Sequence, residues 1–202
     1  MRILQKPAQS IALICVAAIA IFAACGDDQG TSPRRGDFTF ADPRGDTLPT
    51  SRVDRPRAHD LVAITGRYVV DSVFITLRFA GPVGTAGSFD AVKGLVDFDV
   101  DENAATGDRP VLNMFGGSAT IGVDFTIDLF TADGTSAPLF SDIGTGIARV
   151  PVRYAGDSVV IRLPLTRLNG DEGNFRFALV LGTQDRLSEI APNAGHLSAR
   201  RR

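Results

Sequence analysis

The chain has 202 residues, of which 44% are hydrophobic, 22% charged and 7% aromatic, and its formal net charge is −2. This length corresponds to about one domain at roughly 100–200 residues per domain, and the composition excludes disordered and collagen-like chains. The 21 glycines and 11 prolines indicate many turns. The absence of tryptophan and the presence of only 2 histidines leave few side chains for acid–base chemistry.

The amino-terminal segment predicts an export signal. Arg2 and Lys6 form a positively charged start, and an uninterrupted apolar run of 14 residues follows from Ile11 to Ala24. A transmembrane helix needs about 20 apolar residues, so this run fits the hydrophobic region of a signal peptide instead. The run ends in the sequence FAACG at 22–26, which resembles the lipobox of bacterial lipoproteins, with phenylalanine where leucine is usual.

This resemblance implies that residues 1–24 are a lipoprotein signal peptide and that Cys25 becomes the acylated first residue of the mature chain. The protein would then be attached by lipid to a membrane of a bacterial cell envelope, on its periplasmic or outer face. Three alternatives are open: cleavage as an ordinary secretory signal, retention of the uncleaved segment as an anchor, or Cys25 as a plain cysteine of the hydrophobic region, like Cys15. Loss of Arg2 and Lys6 leaves 19 basic and 23 acidic side chains, so nucleic acid is not an expected partner.

Beyond a polar tether over 25–36, alternation of apolar and polar residues at period two predicts strands. Aspartates outnumber glutamates by 20 to 3, which also favours strands and turns over helices. The predicted fold over 37–199 is therefore all-β, an antiparallel β-sandwich with short helical turns at Ser88–Lys93 and Pro164–Leu168. The three arginines at 200–202 are expected to form a solvated basic tail.

Two internal similarities add detail to this prediction. The pattern Y-x-x-D-S-V-x-I-x-L at 68–77 recurs at 154–163, and each copy predicts a β-hairpin with its turn at the Asp-Ser pair. The pattern V-D-F-D-V-D at 96–101 is echoed by V-D-F-T-I-D at 123–128. If these two strands are neighbours, their carboxylates share one face of the sheet.

An acidic stretch, DFDVDENAATGD at 97–108, predicts a candidate Ca²⁺ site. Aspartates at its first, third, fifth and twelfth positions resemble a calcium loop, although Glu102 stands where that loop has glycine. Asp97 and Asp101 would be about 13 Å apart in an extended strand, so the chain must curl after Val100 to bring oxygens around one ion. The candidate ligands are Asp97, Asp99, Asp101, Asn103, Asp108 and Asp124.

The alternative reading of the acidic stretch is a solvent-facing edge strand, on which aspartates prevent pairing with other chains. Carboxylates on one face repel one another unless they are neutralised. The sequence offers either a bound ion or arginines such as Arg109 and Arg153 for this purpose.

Four short motifs occur in order along the chain: D-P-x-G-D at 42–46, D-x-D-x-N-x-x-T-G at 99–107, I-G-x-D-F at 121–125 and I-A-P-N-x-G at 190–195. Together they resemble secreted bacterial β-sandwich modules of the DOMON and family 9 carbohydrate-binding group. The resemblance implies a jelly-roll-like β-sandwich that serves as a binding or accessory module. Sugar binding in that group depends on aromatic platforms, and haem binding would require Met114 with His196 or His59 as axial ligands.

No nucleophile with an adjacent base is apparent in the sequence. Ser118 lacks the G-x-S-x-G setting, and zinc-protease, P-loop and dinucleotide motifs are absent. We therefore expect a non-enzymatic binding or structural module with an extracytoplasmic ligand or protein partner that the sequence does not identify. The alternatives are a carboxylate-dependent hydrolase of envelope or external polysaccharide, and a haem-binding redox module.

Overall fold

A computed structural model describes residues 36–48, 59–141, 144–168 and 173–201 of the chain. The predicted signal peptide, the acylated Cys25 and the tether up to residue 35 lie outside these described residues and stay predictions. Among the described residues, no helix has both the length and the apolar character needed to cross a membrane.

The described chain consists mainly of strands joined by turns. The strands are β1 (Phe38–Ala41), β2 (Leu61–Val69), β3 (Ser72–Phe79), β4 (Lys93–Asp99), β5 (Ser118–Ala119), β6 (Phe125–Asp128), β7 (Ser136–Ser141), β8 (Gly146–Ala155), β9 (Ser158–Pro164), β10 (Phe175–Thr183), β11 (Arg186–Ala191), β12 (Ala194–Gly195) and β13 (Leu197–Ala199). Two 3₁₀ helices, Val111–Phe115 and Leu165–Arg167, are the helical segments of the described chain. The predicted all-β fold is confirmed.

In the described chain, ten strands pair side by side in the order β1-β2-β3-β9-β8-β7-β6-β4-β10-β11, and β13 also pairs with β10. This sheet folds over on itself. Phe38 and Phe40 near one end of the order contact Phe177 of β10 near the other end, with ring centroids 5.8 and 5.9 Å apart. The sheet therefore forms both layers of an antiparallel sandwich around a shared apolar interior.

Strand β8 belongs to both layers. Its first half, between Gly146 and Pro151, pairs with β7, and its second half, between Val152 and Ala155, pairs with β9. The change of partner falls at Pro151, which has no N–H to donate to a ladder. Sandwich corners are commonly made by a strand that switches sheets. In β8 the switch occurs at Pro151, which donates no ladder hydrogen bond.

The two similar hairpins of the sequence are neighbours in one layer of the sandwich. This layer contains β1, β2, β3, β9 and the second half of β8. Hairpin β2–β3 turns at Val70-Asp71 and hairpin β8–β9 turns at Gly156-Asp157. Strands β3 and β9 then pair antiparallel with Ile75 opposite Ile161, which are equivalent positions of the repeated pattern. Both predicted hairpins are confirmed, and the repeat packs against its own copy.

Alternate residues of the strands fill the interior, as predicted. On β3 these are Val73, Ile75, Leu77 and Phe79, none more than 2% exposed. The ring of Phe38 lies over Gly66 of β2, its partner in the β1–β2 ladder, so closely that a Cβ at Gly66 would meet the ring at 2.0 Å. Glycine is required there because the ring takes the space of a side chain.

A long connection over residues 100–124, between β4 and β6, covers the outer face of β4 and β10. Its residues Leu112, Ile121 and Val123 pack with Val180 of β10 and Ile190 of β11 in a second apolar cluster, apart from the main interior. Strand β10 is consequently buried on both faces over most of its length. Alternation alone does not predict this cover, because both faces of a strand buried in this way are apolar.

One local prediction needs correction. Residues Ser88–Lys93 form turns that lead into β4 rather than a helical turn, and the Ser88 hydroxyl donates to the Thr85 carbonyl instead of capping a helix. The predicted turn at Pro164–Leu168 is confirmed as the second 3₁₀ helix. Arg200 and Arg201 of the predicted basic tail are exposed, and in addition Arg200 pairs with Glu102 and the Arg201 N–H donates to Asn174.

The turn of hairpin β2–β3 holds a β-branched residue in the left-handed region, because Val70 has a φ of 54°. Its side chain is 81% exposed, so it contributes little packing in return. Since this conformation costs an L-residue about 1–2 kcal/mol and glycine is freer in the unfolded chain, V70G should raise the free energy of unfolding by about 1 kcal/mol. Urea denaturation measures the change.

Gly156 supplies the matched control, because it occupies the equivalent turn position with a φ of 61° and open space where a Cβ would lie. G156V should lower the free energy of unfolding by about 1–2 kcal/mol for the same conformational reason. Equal stability of V70G and wild type would show that the backbone of this turn carries no strain.

Candidate functional site

Strand β4 brings two aspartates of the acidic stretch into the protein interior. It lies between β6 and β10, and Asp97 and Asp99 on its outer face are 1% and 0% exposed because the 100–124 connection covers them. The alternative of a solvent-facing edge strand is therefore wrong for this segment. Buried carboxylates require hydrogen bonds or a positive charge to offset the lost hydration.

Asp97 satisfies this requirement with protein donors alone. Its Oδ1 accepts from the Thr126 hydroxyl at 2.8 Å, and its Oδ2 accepts from the Val111 N–H at 3.1 Å. Thr126 is its register partner on β6, so the two similar strands are neighbours, the condition under which their carboxylates share one face. Asp97 thus ties the 100–124 connection to the sheet.

Asp99, Asp101 and Asp124 form a cluster in which one carboxylate oxygen of each lies within 4.8 Å of the others. Asp99 ends β4, Asp101 lies two residues further on, and Asp124 immediately precedes β6. Asp124 Oδ2 accepts from the Val100 N–H at 2.8 Å and from the Asp101 N–H at 3.3 Å. Asp124, just before β6, thereby holds the turn that follows β4.

The predicted curl after Val100 is present and turns at Glu102. This residue has a φ of 57°, the left-handed conformation that a calcium loop assigns to glycine at this position. The Asn103 N–H then donates to both Asp99 Oδ1 at 3.1 Å and Asp101 Oδ1 at 2.9 Å. The shared Asn103 N–H thus holds the Asp99 and Asp101 carboxylates close together.

Gly122 permits the connection to close on itself. A Cβ at this position would meet the Thr106 carbonyl oxygen at 1.8 Å and the Asn103 carbonyl oxygen at 2.8 Å. Only a residue without a side chain allows this approach, which places the 103–106 turn against the residues just before Asp124.

One oxygen of the cluster is buried without a hydrogen bond. Asp99 Oδ2 accepts from no donor in the described structure, and Arg176 Nη1 forms an ion pair with it at 3.8 Å. Burial raises the pKa of Asp99 to about 6, the Asp101 carboxyl adds to the rise, and the Asn103 N–H and Arg176 oppose it. The Thr106 hydroxyl, in contrast, lowers the pKa of Asp101. An oxygen in this state has an electron pair available for a cation.

The arginine beside the cluster is not one that the sequence suggested. Arg176 stands opposite Asp99 in the β4–β10 ladder, and its Nη1 also donates to the Glu102 carbonyl at 2.6 Å. Arg153 lies on β8 and pairs in register with β9 in the other layer. Sequence analysis missed Arg176 because its proximity to Asp99 depends on a strand pairing between residues 77 positions apart.

The structure places the remaining predicted ligands around the cluster but not in it. The side-chain oxygen of Asn103 accepts from the Ala105 N–H at 3.1 Å and so shapes the turn. Asp108 forms a backbone bridge with Val123, and its side chain is exposed. Of the six residues, the structure thus groups Asp99, Asp101 and Asp124.

The haem candidates do not meet in an enclosed pocket. Met114 on the first 3₁₀ helix is 80% exposed, and His196 Nδ1 lies 2.9 Å from the Thr120 hydroxyl near the surface. His59 is buried with its Nε2 2.8 Å from the Asp90 carbonyl oxygen. Haem ligation requires axial residues that face a buried cavity, which an exposed Met114 does not supply.

Comparison with known protein families finds no family model that matches this chain, and comparison with curated proteins finds no match either.

Replacement of Asp97 tests its structural role. D97A leaves the partly buried Val111 N–H and Thr126 hydroxyl without an acceptor. Each unsatisfied buried group costs about 1–3 kcal/mol, and because these two are only partly buried the free energy of unfolding should fall by about 2 kcal/mol. Urea denaturation measures this loss. D108A is the control in the same stretch and should change stability by less than about 0.5 kcal/mol because its side chain is exposed. Similar losses in both variants would contradict the assignment.

Proposed function

We propose that this chain is a lipid-anchored, extracytoplasmic β-sandwich module without catalytic activity, and that Ca²⁺ bound by Asp99, Asp101 and Asp124 stabilises it. It acts as a binding or structural accessory module on a bacterial cell envelope. Support for the anchor comes from the sequence at 22–26, and support for the ion comes from the geometry of the cluster.

The buried Asp99 Oδ2, which accepts no hydrogen bond, is the observation that carries the calcium proposal. Solvent is excluded from this oxygen, and a buried carboxylate oxygen without a donor is unfavourable unless a cation or a proton occupies the site. Calcium takes six to eight oxygen ligands and accepts flexible geometry, which suits carboxylates held on a turn and two strand ends. Arg176 balances only one of the three carboxylate charges.

Calcium bound here would join parts of the chain that are far apart in sequence. Asp99 and Asp101 flank the turn after β4, while Asp124 closes the long connection before β6. An ion held by all three would fix both ends of the segment that covers the second apolar cluster. The proposed role of the ion is therefore structural, since it binds the folded form and not the unfolded chain.

Thermal unfolding with and without a chelator tests this proposal. At a free Ca²⁺ concentration of about 100 times the Kd, binding stabilises the folded form by about 2.7 kcal/mol, or a rise in Tm of about 5–10 °C for a domain of this size. Scanning calorimetry in excess EGTA and in Ca²⁺ measures the difference. An unchanged Tm in EGTA would overturn the proposal.

Variants separate the cluster from the rest of the acidic stretch. D101N should abolish most of the Ca²⁺-dependent rise in Tm, because it removes an exposed ligand and leaves the apolar interior intact. D108N, in the same stretch but outside the cluster, should retain the full rise. Loss of the rise in D108N with retention in D101N would place the ion elsewhere.

The anchor is tested on the mature protein from a bacterial membrane. Acylated Cys25 should give an intact mass equal to residues 25–202 plus a diacylglycerol group and an amide-linked fatty acid, and the protein should partition into detergent. Two or more acyl chains give stable membrane attachment. C25S should lose the lipid mass, while C15S, within the predicted signal peptide, should keep it. A mature chain that begins at another residue would contradict the lipoprotein proposal.

A further inference from the structure

A second group of carboxylates lies at the other side of the molecule, where the two ends of the strand order meet. Asp42 and Asp46 come from the loop that follows β1, and Glu189 comes from β11, the last strand of the order. One carboxylate oxygen of each lies within 4.8 Å of the others. These residues were not candidate ligands in the sequence, because 143 positions separate Asp46 from Glu189.

The loop after β1 is held firmly between the two layers. The Asp42 N–H donates to the Val62 carbonyl at 3.1 Å and so continues the β1–β2 ladder. The Leu48 N–H donates to the Ser188 carbonyl of β11 at 2.8 Å, and Asn193 donates to Asp46 Oδ2 at 3.0 Å. The three carboxylates are therefore placed by contacts to both layers.

Glu189 is buried and its oxygens point across the gap between the layers. It is 1% exposed, its Oε2 accepts from the Leu61 N–H of β2 at 3.2 Å, and its Oε1 accepts from the Ile190 N–H at 3.0 Å. A carboxylate has about four acceptor positions, so these two bonds leave capacity unused on both oxygens. Glu189 can therefore accept further bonds in the cluster that it forms with Asp42 and Asp46.

Two further oxygens of this group are buried and unpaired. Asp42 Oδ2 and Asp46 Oδ1 are closed off from solvent and accept from no donor in the described structure. Buried polar atoms almost always have a partner, so two such orphan atoms in one cluster indicate a ligand that the chain itself does not provide. This observation is independent of the number of acidic side chains.

The cluster also lacks a balancing positive charge. Unlike Asp99, which has Arg176 beside it, none of Asp42, Asp46 and Glu189 forms an ion pair among the described residues. Burial raises the pKa of Glu189 to about 8, and the Asp42 and Asp46 carboxyls raise it further, while its backbone donors oppose the rise. Three close carboxylates in a desolvated position repel one another unless a proton or a cation neutralises part of their charge, and the buried oxygens without a donor favour the cation.

We infer that Asp42, Asp46 and Glu189 bind a second divalent cation of the hard, oxygen-seeking class, with Ca²⁺ as the ion expected outside the cell. All the side chains offered are carboxylates, which suits calcium and disfavours zinc and copper. The ion links the loop after β1 to β11, beside the hydrogen bond from the Leu48 N–H to the Ser188 carbonyl. This site is independent of the Asp99 cluster.

Calcium titration calorimetry on the full chain in detergent, after EGTA treatment and its removal, tests the inference. Wild type should bind two Ca²⁺ per chain. D101N should bind one ion, at the Glu189 cluster. D42N and D46N should each weaken binding at the Glu189 cluster at least about 10-fold and retain the ion at the Asp99 cluster. The double variant D42N with D101N should bind no ion at the concentrations that saturate wild type. D108N is the control and should bind two.

The outcomes separate this inference from the proposed function. One ion in wild type that D101N abolishes, with D42N and D46N unchanged, would overturn this site and leave the Asp99 site standing. One ion that D42N and D46N abolish while D101N keeps it would overturn the Asp99 site and leave the Glu189 site standing. No binding in wild type would overturn both, with protons shared among the carboxylates in place of ions.

A second measurement covers the case in which D42N or D46N fails to fold. Eu³⁺ replaces Ca²⁺, and the difference between its luminescence lifetimes in H₂O and D₂O counts the waters bound to the ion. In D101N, which leaves the Glu189 cluster intact, the bound Eu³⁺ should carry fewer waters than an ion held by exposed carboxylates, because Glu189 is buried. A fully hydrated Eu³⁺ in D101N would overturn the inference.

Discussion

The change of partner along β8 is the feature on which the rest of the structure depends. A strand that pairs with β7 over its first half and with β9 over its second half turns one sheet into two facing layers. The apolar residues of both layers then exclude water from a common interior, which is the main favourable term in folding. Pro151 stands at the change because it donates no hydrogen bond that either ladder would require.

Folding one sheet into two layers leaves positions where polar groups are enclosed. The 100–124 connection covers one such position and the loop after β1 covers the other, and each buries carboxylates that an open sheet would leave in water. Asp97 is satisfied by Thr126 and Val111, whereas Asp99, Asp42 and Asp46 each retain a buried oxygen without a donor. The difference between a carboxylate that supports the fold and one available to a cation lies in these unused acceptors.

Local patterns in the sequence were sufficient to predict the strands and hairpins. The alternation from Val73 to Phe79 and the repeated turn residues act over a few positions, and each specifies its element without reference to the rest of the chain. The curl after Val100 followed from the sequence only on the condition that the acidic stretch binds an ion, and Asp97, on which that argument depended, lies outside the cluster. The apolar cover over β10 was not predictable, because a strand buried on both faces has no alternation to reveal its second neighbour.

The sequence by itself determined the all-β class, the positions of most strands, the two hairpins and the acidic stretch after β4. Tertiary structure alone decided which charged groups meet: Arg176 beside Asp99, Asp124 against the turn at 100–102, and Glu189 with Asp42 and Asp46. Strand propensity is a property of neighbouring residues, whereas proximity between side chains depends on which strands pair and which layers face each other. That choice is made by burial of the whole interior, so no short stretch of sequence contains it.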